Sequence, residues 1–517
     1  MDVRVWLAEL ELTAPDGTTT SLLVSDVPIR PFTPNDADRP NAKALPVLLE
    51  VRGASREAFV DLTRGAGGLG RAELVLANGE HDLTPYRDHT VGAVTLRRGP
   101  RGGAWADFTL VIAGSGEDMR FGLSGSRPRR VRISLFDERA VLERSIQPTT
   151  FDGTNEGADG YEGTPETLEG QPKPRALGDL TAGQIPAVWA NAVRQVIQVN
   201  DGAYRDVADI RDRGQSAGLT FAGDSTGSTF DSLSLNTGEY ATDTARGYVL
   251  LNANLQGPVT LTIKGDASGT GYEDAAPALL RRVLGWMGVP ASRIGDSFDR
   301  TDLPQWPCGV WIDEDTRARR IGDLLCRSID AWCLPDRQGV WQIGLLRPPA
   351  GSPVTTWRED EDVLSLEDAD GELLTPAWKV TVRYARNHAP LSRREVAPAL
   401  RDSDAAAAEA RQTEWSRVTW KDQAVKDAHR DPRELTIDTV LIQRADAEAL
   451  RDVLATFHGQ PRHRRRVRVP IDGALDRELG EEARLIYPSE QIDEGLVVTR
   501  LSPASPRRDL VTIEGVG

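Results

Sequence analysis

The chain opens on a two-residue alternation that turns back on itself. Val3, Val5 and Leu7 fall on one side of an extended chain and their polar neighbours on the other. Ala14-Pro15-Asp16-Gly17 then supplies turn chemistry, and SLLVSD runs back. Short runs of period two cannot sit still as helices, so residues 1–150 are committed to antiparallel sheet. Further strands are expected at 46–52, 72–77, 92–97, 107–113 and 130–136. Turns such as Ala77-Asn78-Gly79 and Gly99-Pro100-Arg101-Gly102-Gly103 separate them. Six or more strands in this rhythm predict a sandwich or small barrel.

The chain has 517 residues, 39% of them apolar, with 48 glycines and 32 prolines. That is enough for several packed cores and rich in turns. Residues 151–178 change character, with loop chemistry and no helical period, which marks a domain junction. VRQVIQV, Asn200-Asp201-Gly202 and YRDVADIRDRG then read as a hairpin. Alternation continues through TFDSLSLN, YVLLNANL and VTLTIKG. A helix is expected after Asp274 as cap, with Pro277 in its first turn and Leu279, Leu280, Val283, Leu284 and Met287 on one face. A second is expected over 316–333, striped by Ile321, Leu324, Leu325, Ile329 and Trp332, followed by the strand VWQIGLL. Strands return over 354–390, helices at 403–416 and 444–458, and strands again over 465–517. The fold class is mainly β with α+β parts. The expected units are an N-terminal barrel or sandwich (1–150), a β-rich domain with the acidic junction (151–265), an α+β domain (266–353) and a second β-barrel-like domain with inserted helices (354–517).

A net charge of −16 repels nucleic-acid backbone and anionic membrane, which argues against a DNA coat or a basic membrane-surface protein. Three cysteines, Cys308, Cys326 and Cys333, make no disulfide framework and suit a reducing compartment. The N-terminus has no basic n-region and no continuous apolar stretch, so no signal peptide is expected and synthesis is placed in the cytoplasm. No run approaches the roughly 18 apolar residues of a membrane span.

Motifs with chemical content are few. Gly223-Asp224-Ser225-Thr226-Gly227 matches G-x-S-x-G, but a nucleophile elbow needs a strand before it and a helix after it, and here a polar strand is expected to follow. The six histidines form no zinc-hydrolase spacing. Cys326 and Cys333, two helical turns apart, are expected on one buried helix face, reduced and without metal. Glu359-Asp360-Glu361-Asp362 and the D-x-D-G fragment Asp368–Gly371 read as solvated acidic loops. Arg462-His463-Arg464-Arg465-Arg466-Val467-Arg468 ends as an alternating strand. Arg466 and Arg468 take one face, expected to meet an acidic neighbouring subunit, and Val467 and Val469 take the other. No catalytic, cofactor-binding or metal residues are therefore expected, and no enzyme.

Five collinear stretches give the chain a likeness. LANGEHDL (76–83) is similar to an N-D-G-x-L-D hairpin. Tyr161-Glu162-Gly163-Thr164 with Glu169-Gly170-Gln171-Pro172-Lys173-Pro174 and Gly178 resembles a Y-x-G-T…G-K-P-K-P…G segment, with Gln171 in place of Lys. VRQVIQVNDGAYRDVADIRDRG, VTVRYARNHAPL (380–391) and EGLVVTRLSP with VTIEG complete the series. Together they resemble the tail-tip or baseplate hub proteins of long-tailed bacteriophages, found also in prophages and gene transfer agents. The resemblance implies a non-enzymatic homotrimer in the virion tail tip, assembled in the host cytoplasm, with two barrel-like domains per chain forming a pseudo-hexameric ring. It implies other tail proteins as partners: distal tail, tape measure, and tip or receptor-binding proteins. DNA would be only a transient passenger, and no membrane is involved in the mature particle. Some such proteins carry a cysteine-ligated iron–sulfur cluster, whereas three cysteines fall short of the usual four ligands, and no cofactor is expected. The alternatives are a distal tail or other baseplate ring protein, a tip-mounted cell-wall hydrolase, and a carbohydrate-binding module.

Overall fold

The computed structural model describes residues 4–53, 55–59, 70–122, 129–370, 372–503 and 510–517. Val3 of the expected first strand and Gly371 of the D-x-D-G fragment lie outside them. The chain is mainly β, in several sheets with few helices.

The N-terminal strands are β1 (Arg4–Thr13), β2 (Thr19–Ser25), β3 (Ala44–Leu45), β4 (Leu48–Arg52), β5 (Arg56–Glu57), β6 (Arg71–Ala77), β7 (Thr90–Pro100), β8 (Thr109–Phe121) and β9 (Arg130–Phe136). Eight of them form one sheet in the order β3-β2-β1-β7-β8-β9-β6-β4. Its two outermost strands, β3 and β4, are separated only by Pro46 and Val47, and Val47 N–H bonds back to the Leu45 carbonyl at 2.9 Å. Opposite edges joined by so short a link must meet, so the sheet curls into a barrel. Trp6, Ala8, Leu10 and Leu12 face the barrel interior, while Val5 and Leu7 pack on Phe32, Trp105 and Phe108 outside it.

A second barrel closes the same way. Its strands are β10 (Thr355–Arg358), β11 (Ser365–Asp370), β12 (Arg464–Pro470), β13 (Glu482–Tyr487), β14 (Ile492–Pro503) and β15 (Leu510–Val516), in the order β10-β13-β14-β15-β12-β11. The edges β10 and β11 are joined by a tight turn in which Asp362 N–H and Val363 N–H bond the Arg358 carbonyl at 2.9 and 3.1 Å.

Between the barrels, the expected hairpin across Asn200-Asp201-Gly202 does not form. Val196–Gln198 belongs to a five-stranded sheet and Tyr204–Asp212 to a four-stranded one. The Asn200 amide accounts for this. Its oxygen accepts Ala176 N–H at 2.9 Å and its nitrogen donates to the Ala203 carbonyl at 2.9 Å, pinning the link to residues 174–176 so that the chain changes sheet. The polar strand expected after Gly227 is instead one helical turn, Ser228–Asp231.

Helix α1 (Ala276–Trp286) buries the predicted face, but its cap is Ala275 rather than Asp274, whose carbonyl accepts Cys308 N–H at 2.8 Å. Helix α2 (Ala318–Ser328) stops short of 333. Asp330 takes φ +52°, a left-handed conformation that ends a helix, and Ala331–Pro335 leaves as a strand paired with Trp341–Leu345. The helix expected at 403–416 is divided into Pro398–Ser403 and Ala405–Gln412 by Asp404, whose carboxylate accepts Ala407 N–H. Helix α3 (Arg444–His458) lies on the sheet Ala377–Tyr384, Ser416–Lys421 and Arg433–Asp438. This inserted unit shares its core with α1 and α2 rather than sitting as an appendage of the second barrel. Among the described residues no helix is long and apolar enough to cross a membrane.

Candidate assembly surface

The sequence motifs disperse in the fold. Ser225 follows a strand (Thr220–Asp224) and precedes the turn Ser228–Asp231, so a strand and a helical turn do flank it, contrary to expectation. Among the described residues its Oγ nevertheless has no hydrogen-bond partner, and a nucleophilic serine needs a base in reach. His81 pairs with exposed Arg129, and His388 borders a polar cavity of about 930 Å³ beside Arg386 and Trp415. Burial and the nearby Arg386 push the His388 pKa down to about 3. That keeps it neutral at physiological pH, and its backbone N–H donates to the Gln184 carbonyl at 2.8 Å.

Cys326 and Cys333 do meet, though from a helix and a strand rather than one helix face. All three cysteines are buried; burial raises the Cys308 thiol, and a hydrogen bond with Cys333, together with burial, raises Cys326. High thiol pKa values disfavour the thiolate that would bind metal. Among the described residues, no group of three or more His, Cys, Asp or Glu is placed to hold a metal ion.

The arginine run finds acidic partners inside the chain. Val467 and Val469 are buried as predicted. β11, expected as a solvated acidic loop, is a strand paired with β12, setting Glu367 opposite Arg466 and Asp368 opposite Arg465. Glu514, 3% exposed, lies among Arg464 at 2.9 Å, Arg466 at 2.9 Å and Arg500 at 3.5 Å. Arg464 also reaches Glu57 of the first barrel at 3.1 Å.

That contact is part of a seam. β5, from the first barrel, adds to β14 of the second, with Arg56 opposite Leu501 and Glu57 opposite Arg500. Arg56 pairs with Glu478 at 2.5 Å, and Arg98 with Asp472 at 3.4 Å. Val111 and Ile112 of β8 and Ala474, Leu475 and Leu501 of the second barrel line one small cavity, and the two barrel interiors merge into a single apolar cluster. Merged apolar packing with a shared strand fixes the barrels relative to each other.

The two barrels also repeat one plan. In chain order, β4, β6, β7, β8 and β9 pair as β4-β6-β9-β8-β7. Likewise β11, β12, β13, β14 and β15 pair as β11-β12-β15-β14-β13, with every pairing antiparallel in both. β6 meets β9 from Arg71↔Phe136 to Ala77↔Arg130, and β12 meets β15 from Arg464↔Val516 to Pro470↔Leu510, in equivalent register. A bulge interrupts β8 between Gly116 and Met119, and β14 between Val498 and Arg500. Met119 then opposes Ile133 as Leu501 opposes Ile513. Buried pairs recur in place: Leu74 with Val467, Leu76 with Val469, Val131 with Val511, Ile133 with Ile513. The edge strands β3 and β10 each pair parallel, β3 with β2 and β10 with β13.

The junction is packed as a strap. Lys173 Nζ meets Glu162 at 2.7 Å and lies over the Phe151 ring, its N–H bonds the Thr149 carbonyl, and Gln147 donates to its carbonyl. Arg175–Gly178 then pairs with the strand Gly309–Ile312. Gly178 has φ +68°, and a Cβ there would sit 2.0 Å from the Cys308 carbonyl oxygen.

No protein-family model matches the chain, and neither does any curated protein. Among solved structures it is similar to a tail protein from Neisseria meningitidis, at 9% identity and a TM-score of 0.42, covering 99% of this chain and 96% of that one. It is similar also to a 43 kDa tail protein of prophage MuSo2 from Shewanella oneidensis, at 10% identity and a TM-score of 0.41, covering 98% of each. A prophage tail protein from Listeria monocytogenes aligns at 7% identity and a TM-score of 0.37, over 98% of this chain and 94% of its own.

Proposed function

We propose that this chain is a structural component of a phage-type tail tip. In this reading it is a hub that acts as a homotrimer, joins the tail tube to the tip, and encloses the channel through which DNA leaves. The observation that carries the reading is the repeated barrel. Two barrels of one plan, fused side by side by β5 and a merged core, let three chains offer six near-equivalent units around an axis. Such a ring matches a six-fold tube on one side and a three-fold tip on the other. The collinear segments from LANGEHDL to VTIEG support the same reading. Other tail proteins are its partners, DNA is a passenger, the virion tail tip is its place, and its role is structural rather than catalytic. The net charge of −16 suits a channel that DNA must slide past without sticking. The test is the solution mass of the full chain together with a particle reconstruction. A three-fold ring of six barrels at the tail tip is expected. A stable monomer absent from particles, or a ring of six chains, would refute it.

A further inference from the structure

The three-stranded sheet of the inserted unit carries one set of side chains twice and answers it once. Val380, Val382, Val418, Leu435 and Ile437 are buried in the core that α3 covers. Strand alternation puts the residues between them on the opposite face. There the register lines up three rows: Lys421, Lys379 and Glu434; Thr419, Thr381 and Thr436; Arg417, Arg383 and Asp438. The central strand Ala377–Tyr384 and the outer strand Ser416–Lys421 thus show the same triplet, a cation, a threonine and a cation. The strand Arg433–Asp438 shows the acidic complement. Lys379 pairs with Glu434 at 2.8 Å and Arg383 pairs with Asp438, so both carboxylates are taken by the central strand. Among the described residues, Arg417 makes no ion pair, and Lys421 adds only a longer-range pull on Glu434, behind Lys379 and Lys426.

The backbone of the outer strand is open as well. Asp422 N–H bonds the Trp378 carbonyl at 2.7 Å, which fixes the parity of this antiparallel ladder: Ser416, Val418 and Trp420 direct their backbone groups to the central strand. The N–H and C=O groups of Arg417, Thr419 and Lys421 point the other way, and among the described residues no strand pairs with them. The side chains of these three residues are exposed, and half-buried Trp420 lies on the other face. Cations on a free edge repel a like edge and so keep copies of it apart. They do not repel a strand that carries carboxylates. In a chain of net charge −16, three of the six lysines, Lys379, Lys421 and Lys426, gather at this sheet, which makes it a cationic exception on an acidic molecule and suits it to an acidic partner.

We propose that Ser416–Lys421 is the docking edge for an extended acidic segment of another protein, which adds as a fourth strand and sets carboxylates opposite Lys421 and Arg417. The strand Arg433–Asp438 shows the chemistry of such a segment: its Glu434-Leu435-Thr436-Ile437-Asp438 does for the central strand what the incoming segment does for the outer one. Main-chain hydrogen bonds to Arg417, Thr419 and Lys421 hold the segment, the two carboxylates set its register, and the apolar residues between them extend the other face beside Trp420. The inference goes beyond the ring reading and does not depend on it, because it concerns the inserted unit and not the barrels.

The probe is a fluorescein-labelled peptide with blocked ends, Val-Glu-Leu-Thr-Ile-Asp-Val, titrated with the full chain and read by anisotropy, with circular dichroism as the check on folding. Its control carries Gln and Asn in place of Glu and Asp and is expected to bind about tenfold more weakly, the worth of two exposed ion pairs. R417E/K421E is expected to weaken the acidic peptide about 100-fold, because repulsion replaces attraction at both positions. T419P removes an N–H that the sheet itself does not use, so the fold tolerates it, and binding should be lost because the added strand loses its partner. Peptide binding that survives T419P or R417E/K421E unchanged places the site elsewhere and overturns the proposal. No binding to wild type at about 1 mM chain means that the cations only blunt the edge, and the proposal falls. Sedimentation should give every variant the wild-type mass; a changed mass would mean that the edge joins copies of this chain, which also overturns it. Should R417E/K421E misfold, R417Q/K421Q decides: an unchanged affinity refutes the proposal.

Discussion

Glu514 offers the sharpest check on how the second barrel is held. Its carboxylate is nearly sealed from solvent and accepts from Arg464 and Arg466, with Arg500 at 3.5 Å. E514Q keeps the shape and removes the charge, leaving buried Arg464 facing only Glu57 at 3.1 Å. Breaking one side of a buried ion pair costs about 3–5 kcal/mol. Arg466 and Arg500 are each about a third exposed, and solvent takes up part of their loss, so the lower end, about 3 kcal/mol, is expected. That corresponds to roughly 100-fold faster local opening. Hydrogen exchange read by mass spectrometry on peptides covering Arg464–Pro470 and Leu510–Val516 measures it directly, with β1 and β7 peptides as internal reference. An acceleration under about threefold in the first two peptides would mean the arginines are adequately solvated without Glu514, and the reasoning fails.

Further outcomes follow from other positions. G178A should lower the thermal midpoint sharply and detach the Arg175–Gly178 strand, because a Cβ would sit 2.0 Å from the Cys308 carbonyl oxygen at a φ of +68°; a midpoint within a degree of wild type counts against it. Burial raises the Asp330 carboxyl to about 7, opposed by Arg347. A raised folded pKa means the folded state holds the proton more tightly, so stability present below about pH 4 is lost as pH rises to about 7, by a few kcal/mol. D330N removes that dependence while tolerating the left-handed backbone, so the denaturation midpoint of wild type relative to D330N should fall between pH 4 and 7; parallel curves would contradict this. Replacing Pro172 and Pro174 with glycine should increase proteolysis within 161–178 and lower particle yield, since the strap docks from a pre-extended chain; unchanged yield and infectivity reject it as a strap.

The legible parts of the sequence were those where one face of a strand meets solvent. β1, β2, β4 and β6 to β9 were expected close to where they lie; in β9, for one, buried Val131 and Ile133 alternate with exposed Arg130 and Arg132. Ala331–Pro335 was misread as helix because every one of its residues is buried, so no period of two is written there, while the stripe from Ile321 to Ile329 runs straight into it. What ends the helix is the left-handed Asp330, a single backbone angle that composition does not announce. The hairpin at Asn200 failed for a related reason. Asn-Asp-Gly is sound turn chemistry, but where the chain goes afterwards was decided by the distant Ala176 N–H. The arginine run was read along its own strand, while its partners within the chain, Glu57, Glu367, Glu494 and Glu514, went unforeseen because they are scattered over most of the sequence. The barrel repeat was hidden most completely. Its matched residues are a few buried aliphatics such as Val131 and Val511, or Ile133 and Ile513, which any two strands might share. The positions between them diverge, Arg132 against Thr512. In the second barrel, the inserted unit also separates β11 from β12, whereas β4 and β6 lie close in sequence. Buried positions kept the plan and surface positions recorded the different neighbours.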